Sequence, residues 1–430
     1  MLNGILPIMH KFLRSTIGTG KSVTVTRCQV CDAPKLKPIL FLGYLPPVNS
    51  MPPIGEFPHE QPSYPALFLQ CPKCTLLQLG LIVDPQILFP PEYPYTSGTT
   101  KVLRDNFADL AQEVQKFIPL TKNDLVLDIG SNDGTLLSNF MGVSNVFGIE
   151  PSNVGTLAIA KNIPTEISYF DKNIVQKVTS KFGRATLITA TNVFAHIEHI
   201  HEVIENVLSL LKPNGIFVTE SHYAHSLIET LQYDAIYHEH LRYYSLTSLS
   251  YLLKMHGLKV FHVKRIPSHG GSIRVYASRP GKFSVQPSVK QFLNLEKKNF
   301  TEKRLTEFAK KATLSKLKLN SLLSRLKSSG KNIVGVGAPS RATTLINYAS
   351  LDEGIVNYIV EVKSSLKIGK YVPGTLIPVV DETKLFKEQP DYALLFSWHI
   401  AKELIPKLKT KGFRGDYIIP LPTPRIIHAK

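Results

Sequence analysis

Four cysteines occur in 430 residues, and they fall as two Cys-x-x-Cys pairs, Cys28/Cys31 and Cys71/Cys74. A pair spaced in this way turns two sulfurs towards one point, and two such turns supply four thiolates in tetrahedral geometry. A disulfide framework would call for an oxidising compartment and usually a small secreted domain, neither of which suits a chain this long with so few cysteines. Structural zinc is therefore expected on Cys28, Cys31, Cys71 and Cys74. A closed four-thiolate site leaves no position for water, so the metal should fold its segment and take no part in chemistry. The loop between the pairs carries Pro46-Pro47 and Pro52-Pro53.

A chain of 430 residues exceeds one ordinary core, and two or three domains are expected. Its 43% hydrophobic and 19% charged content excludes a disordered or fibrous chain. The net charge of +17 permits an acidic partner, whether nucleic acid, an anionic membrane or a phosphorylated substrate, without choosing among them. Many lysines fall between Lys290 and Lys331 in an amphipathic helical stretch, where a solvated basic face suffices to explain them. No run of about 18 apolar residues is present, so a cytoplasmic protein without a membrane span is expected. Residues 1–26 lack Asp and Glu. They read as a disordered extension whose composition weakly mimics a transit peptide.

Residues 84–106 are too proline-rich for a helix and read as an ordered loop. Helical spacing of apolar residues follows from Leu103 to Phe117, then a short buried-strand run from Leu125 to Ile129. The turn after it, Asp128-Ile-Gly130-Ser-Asn132-Asp-Gly134, has glycines where a backbone turns sharply and approaches a ligand. Glu150 ends a second strand twenty residues after Gly130, an acid suited to ribose hydroxyls. The spacing is not that of a dinucleotide fingerprint, and a nucleoside sulfonium needs no phosphate cradle, so S-adenosylmethionine fits better than a nicotinamide. Further strands are expected at Thr186–Ala190 and Ile216–Glu220, the latter after Leu211-Lys-Pro-Asn-Gly215, which resembles the corresponding turn of class I methyltransferases.

Residues Tyr237-His-Glu239-His240 form a dense acid-base cluster able to move a proton off carbon. Val289 to Leu326 has helical spacing. From Asn332 a second strand-helix alternation begins, with strands expected at Ile333–Val336, Tyr358–Val360, Tyr392–Phe396 and Tyr417–Ile419. Its turn, Gly335-x-Gly337-x-x-Ser340, is a partial phosphate-loop pattern at a helix N-terminus.

In this order the features resemble the zinc-containing sugar C-methyltransferases, which methylate nucleotide-linked 4-ketohexoses in deoxysugar biosynthesis. The likeness runs from about Arg27 to Ile427. It is carried by the two cysteine pairs, Asp128 to Leu137, Asn192-Val-Phe-Ala-His196, Tyr237 to His240, His269-Gly-Gly271-Ser272-Ile-Arg274 and Gly337-Ala-Pro-Ser-Arg341. The resemblance implies that His240 is the base, with Tyr237 and His196 as donors to an enolate oxygen and Glu239 as an orienting or proton-handling partner. It further implies that Asp128, Gly130, Asn132, Glu150 and Asn192 hold the methyl donor. The substrate would meet Tyr95, His269, Gly271, Ser272, Arg274 and Arg341, the last holding the diphosphate with the His269–Arg274 loop. Near Glu361 the family has an Asp followed by a Pro where this chain has Val362 and Ser365, which puts the nucleotide contacts in doubt.

The expected fold is α/β: a disordered extension (1–26), a zinc-binding module (27–83), a class I methyltransferase Rossmann-like domain (84–281), connecting helices (282–330) and a second, C-terminal Rossmann-like nucleotide-sugar-binding domain (331–430). The expected partner is a small-molecule nucleotide sugar. A nucleic-acid methyltransferase or zinc-bearing nucleic-acid-binding protein is the competing class. It would show aromatic residues interleaved with a basic stripe. No such stripe is evident, so nucleic acid is not expected. The sugar, the methylated carbon and the oligomeric state stay open.

Overall fold

The computed structural model of the chain describes residues 22–56, 60–89 and 96–429. Its middle is a seven-stranded sheet with the spatial order Lys259–Ile266, Ser272–Ser278, Leu211–His222, Ala185–Thr191, Leu125–Ile129, Asn145–Ile149 and Thr165–Glu166. Ser272–Ser278 runs antiparallel to both neighbours and the other pairings are parallel. Leu125–Ile129 and Ala185–Thr191 are buried throughout, as parallel strands covered on both faces must be. The chain winds outward from Leu125–Ile129 and then returns to Ala185–Thr191 on its other side. That reversal opens a crevice at the carboxyl ends of these two strands, where open α/β sheets take ligands. The Leu211-Lys-Pro-Asn-Gly215 segment is an irregularity inside the long strand Leu211–His222, with a register shift between Leu211 and Ile216.

Helix Lys101–Phe117 lays Leu103, Phe107, Leu110, Ala111 and Val114 on the central sheet, the spacing of one helix face. Contrary to the proline argument, Pro85–Leu88 forms one helical turn, because Asp84 caps it through Gln86 N and proline is tolerated in a first turn. The connecting segment is two helices, Pro287–Asn299 and Glu302–Ser328, the second burying Leu305, Phe308, Ala312, Leu319 and Leu323 along one stripe. The C-terminal sheet has the order Lys370–Tyr371, Pro378–Asp381, Ile359–Glu361, Ile333–Val336, Tyr392–Leu395, Asp416–Ile419 and Arg425–Ile427, with its five inner strands parallel.

The N-terminal module departs from the expected boundaries in two ways. Val23–Thr24, assigned to the disordered extension, forms a strand paired with Leu81–Ile82. The four-stranded sheet Lys37–Leu45, Tyr64–Gln70, Leu77–Leu79 is completed by Arg242–Tyr243 from far along the chain. Its strands share one apolar core with helix Glu302–Ser328 and the C-terminal sheet, through Leu40, Phe68, Leu79, Tyr243, Leu319 and Ile359 among others. Among the described residues, no helix is long and apolar enough to cross a membrane.

Candidate active site

The four cysteine sulfurs all lie within 4.8 Å of one another, with Cys28–Cys74 at 3.5 Å and Cys31–Cys71 at 3.4 Å. Four thiolates on a tetrahedral zinc, each at about 2.3 Å, would sit about 3.8 Å apart, so the set fits that ion closely. The N–H groups of Val30 and Cys31 point at Cys28 Sγ, and those of Lys73 and Cys74 at Cys71 Sγ, so both knuckles support thiolate charge.

At the carboxyl end of Leu125–Ile129 the backbone turns through Gly130, whose φ is +70° and whose added Cβ would lie 2.8 Å from Val193 Cγ2. Conformation and space both demand glycine there. Asn132 N donates to Glu150 Oε2 at 2.9 Å, while Ser152 N and Oγ donate to Glu150 Oε1 at 2.9 and 2.6 Å. Asp128 is 1% exposed, bonded by Thr189 Oγ1 at 2.6 Å, and burial pushes its pKa up to about 7. Asn192, at φ 57°, follows the neighbouring strand and donates its N–H to Glu220 O at 2.7 Å. The structure thus gathers Asp128, Gly130, Asn132, Glu150 and Asn192 about one crevice. Ser97 N and Gly98 N donate to Asn132 Oδ1 and Asp133 Oδ2, fastening the segment beyond Thr96 onto the same turn. Tyr95 itself lies outside the described residues.

The Tyr237–His240 segment is an irregular stretch between a tight turn, Tyr233–Ala235, and the edge strand Arg242–Tyr243. His240 Nδ1 lies 3.3 Å from Ala235 O and Nε2 lies 3.3 Å from Tyr237 Oη. A carbonyl only accepts, so the neutral ring carries its proton on Nδ1 and presents a lone pair at Nε2. The His196 ring centroid is 4.9 Å away, and Asn49 Nδ2 donates to Glu239 Oε1 at 2.6 Å.

Further imidazoles converge here that the sequence did not mark: His222 at the end of Leu211–His222, and His399 after Tyr392–Leu395. Burial, then the Arg341 charge, lowers the pKa of His222 to about 3 and of His399 to about 2. Burial likewise holds His196 and His238 at about 4, and burial with the charges of His196 and His222 holds His240 well below the ordinary value. Unfolded histidine titrates near pH 6.5, so below that pH the unfolded chain binds more protons than the folded one. Stability is therefore expected to fall as pH drops from about 6.5 towards the folded values. His238, 1% exposed, alone contributes up to about 1.4 kcal/mol per pH unit in that window. Melting temperatures measured between pH 7.5 and 5 check this, and a flat profile would contradict it.

The expected sugar-side residues divide. His269 is exposed, with φ 54°, and heads three successive left-handed residues with Gly270 and Gly271. Gly271 serves packing, since a Cβ there would lie 2.5 Å from Ser226 Oγ. Ser272 is fully buried in its strand, with its hydroxyl on Ser268 O. Arg274 is also fully buried, paired with Glu220 at 2.8 Å and Asp109 at 2.8 Å, and bonded to Asn106. Gly271, Ser272 and Arg274 are thus corrected from substrate contacts to internal supports, since Ser272–Ser278 is buried on both faces and Gly271 packs against Ser226. Arg341 is 7% exposed and holds Asp234 with two hydrogen bonds of 2.8 and 2.7 Å, so its fork is already occupied. The phosphate-loop turn is occupied too, since Ala338 N donates to Glu361 Oε1 at 2.5 Å.

Three family models match in succession: a zinc binding domain over residues 28–89, a methyltransferase domain over 102–263 and a C-methyltransferase C-terminal domain over 267–422. C-methyltransferase NovU of Streptomyces niveus is 30% identical over 412 residues, covering 94% of this chain and 98% of NovU. The chain belongs to the zinc-containing C-methyltransferase family. Among solved structures, a Haloferax volcanii methyltransferase in complex with the activator Trm112 covers 41% of this chain and 92% of its own, at 16% identity and TM-score 0.33. An S-adenosylmethionine-dependent methyltransferase from Clostridium acetobutylicum covers 43% and 94%, at 13% identity and TM-score 0.33.

The C-methyltransferase depends on S-adenosylmethionine as methyl donor and carries structural zinc on its four cysteines. Three of its site features escaped sequence reasoning. Asn49 comes from the zinc module, and His222 and His399 come from the ends of strands in two different sheets, so nothing in the chain order brings them to one site.

Proposed function

We propose that the enzyme methylates a carbon next to the ketone of a nucleotide-linked 4-keto deoxysugar, in the cytoplasm, with His240 as base. The observation that carries this is the pinned His240 ring, whose Nδ1 is held by Ala235 O and whose Nε2 lies 3.3 Å from Tyr237 Oη, with the His196 ring beside it. A ketone acidifies the neighbouring C–H, so a neutral imidazole can remove its proton. The electron pair becomes an enolate, whose oxygen Tyr237 and His196 would stabilise as donors. Bound at the Gly130 turn, S-adenosylmethionine supplies an electrophilic methyl group. The enolate carbon would take that methyl as the sulfonium C–S bond breaks and the donor leaves as its neutral thioether, and His240 would keep the abstracted proton until solvent removes it. Glu239 would orient the substrate or hand on the proton. His269 and Tyr95 are proposed to meet the substrate. Incubation with the methyl donor and a panel of nucleotide 4-ketosugars, read by mass spectrometry, tests the assignment. A gain of one methylene supports it, and no gain across the panel rejects it.

On the donor side, Asp128, Gly130, Asn132, Glu150 and Asn192 are proposed to shape the adenosyl site. Glu150→Ala is expected to weaken S-adenosylmethionine binding by about 1 to 3 kcal/mol, because the carboxylate that orders Asn132 and would accept from ribose is lost. Calorimetric affinity equal to wild type would remove Glu150 from that role.

A further inference from the structure

Asp234 lies three residues before Tyr237 and is 0% exposed. Both of its oxygens are taken by the C-terminal domain. Arg341 Nε donates to Oδ2 at 2.8 Å and Arg341 Nη2 to Oδ1 at 2.7 Å, while Trp398 Nε1 donates to Oδ2 at 2.8 Å. The Trp398 ring lies 5.1 Å from the guanidinium carbon, so each donor steadies the other. Arg341 Nη2 also reaches Gln232 Oε1 at 3.1 Å, and Gln232 Nε2 donates to Gly270 O at 2.7 Å, which ties the His269 turn to the same point.

The residue after Asp234 is Ala235, whose carbonyl holds His240 Nδ1. A shift of Asp234 therefore moves the acceptor that sets the ring of His240. Tyr243 Oη reaches the same carbonyl at 3.2 Å, fixing it from the other side. An anion drawing Arg341 away would strand a buried carboxylate, so the guanidinium is poorly placed to hold a diphosphate. Its remaining edge, Nη1, faces His399 Nδ1 at 3.1 Å.

We propose that Arg341 and Trp398 are positioning residues: by clamping Asp234 they fix Ala235 O and so the orientation of His240, making the C-terminal domain a structural part of the catalytic loop. The kinetic consequence rests on the ketosugar reading given above. In the full-length protein, Arg341→Ala and Asp234→Asn should each lower kcat by about tenfold to a hundredfold, with KM nearly unchanged. Trp398→Phe, which removes one donor and keeps the ring, should lower kcat less and leave the melting temperature near wild type. The double variant Arg341→Ala/Asp234→Asn removes both charges at once. It should recover thermal stability relative to the single variants without recovering turnover. Recovery of turnover together with stability would show that only charge balance matters, and would overturn the proposal. So would a raised KM with intact kcat in Arg341→Ala, which would return Arg341 to substrate binding.

A second arm needs no substrate. Hydrogen–deuterium exchange read by mass spectrometry should show faster exchange across residues 232–241 in Arg341→Ala and Trp398→Phe, with the zinc module and donor turn unchanged. Unchanged exchange in 232–241 would overturn the clamp. If the wild-type enzyme methylated no ketosugar, the substrate assignment would fall while this arm still decided the clamp.

Discussion

Replacing His240 by Asn will leave the chain folded and able to bind its methyl donor, yet cost roughly a hundredfold or more in turnover. The side chain lies against Ala235 O, Tyr237 and His196, and asparagine can fill much of that space and still donate to the carbonyl. What it cannot do is accept a proton from carbon. Exchange of the substrate's acidic hydrogen into deuterated water should stop as well. That is the sharper measurement, because exchange needs no methyl transfer. Since the ring is held well below the ordinary imidazole pKa, it is neutral at pH 7 and stays so through pH 6.5. In the wild-type enzyme kcat/KM should therefore be flat across that range and decline only at lower pH, where the base gains a proton. A variant exchanging at the wild-type rate would move the role of base to Tyr237 or Glu239.

Zinc removal should have the other large effect. Cys71 is 0% exposed, and Cys71→Ser removes one of four charges from the ion. Structural zinc contributes about 10 to 16 kcal/mol in small zinc-finger peptides, as much as the whole stability of an ordinary domain. Cys71→Ser, or a strong chelator, should thus unfold the N-terminal module. It should also abolish turnover, although no sulfur meets the substrate. The module frames the catalytic segment at three points: Pro65 O faces His238 Nε2, Leu79 N donates to Leu241 O, and Asn49 Nδ2 donates to Glu239. Metal analysis and turnover on the same sample check this. Freshly purified, unchelated protein without zinc, or a zinc-free form with full turnover, would contradict it.

What could be seen in the sequence was local. Leu125–Ile129 is an apolar run, Gly130 and Gly134 mark a turn, and the cysteine pairs announce their own partners, so both Rossmann-like sheets and the metal module were legible. Tyr237 to His240 stood out because four chemistry-bearing residues adjoin. Asp234 and Arg341 are 107 positions apart, and neither has a neighbour that predicts the other. Arg274 misled for the opposite reason. It sits in a glycine-rich motif that looks like a binding loop, but pairing with Glu220 and Asp109 draws the side chain inward. Asn49 lies among prolines in a loop whose destination depends wholly on how the module docks.

The pairing of Arg242–Tyr243 with Leu77–Leu79 bears on how the enzyme is made. The ribosome delivers Leu77–Leu79 long before its partner strand. At about 5 to 20 residues per second, a gap of roughly 165 residues leaves that edge unpaired for about 10 to 30 seconds. An open edge is a template for association with other chains. The nascent protein therefore passes through a window in which the Leu77–Leu79 edge is bare and its catalytic segment is still being synthesised.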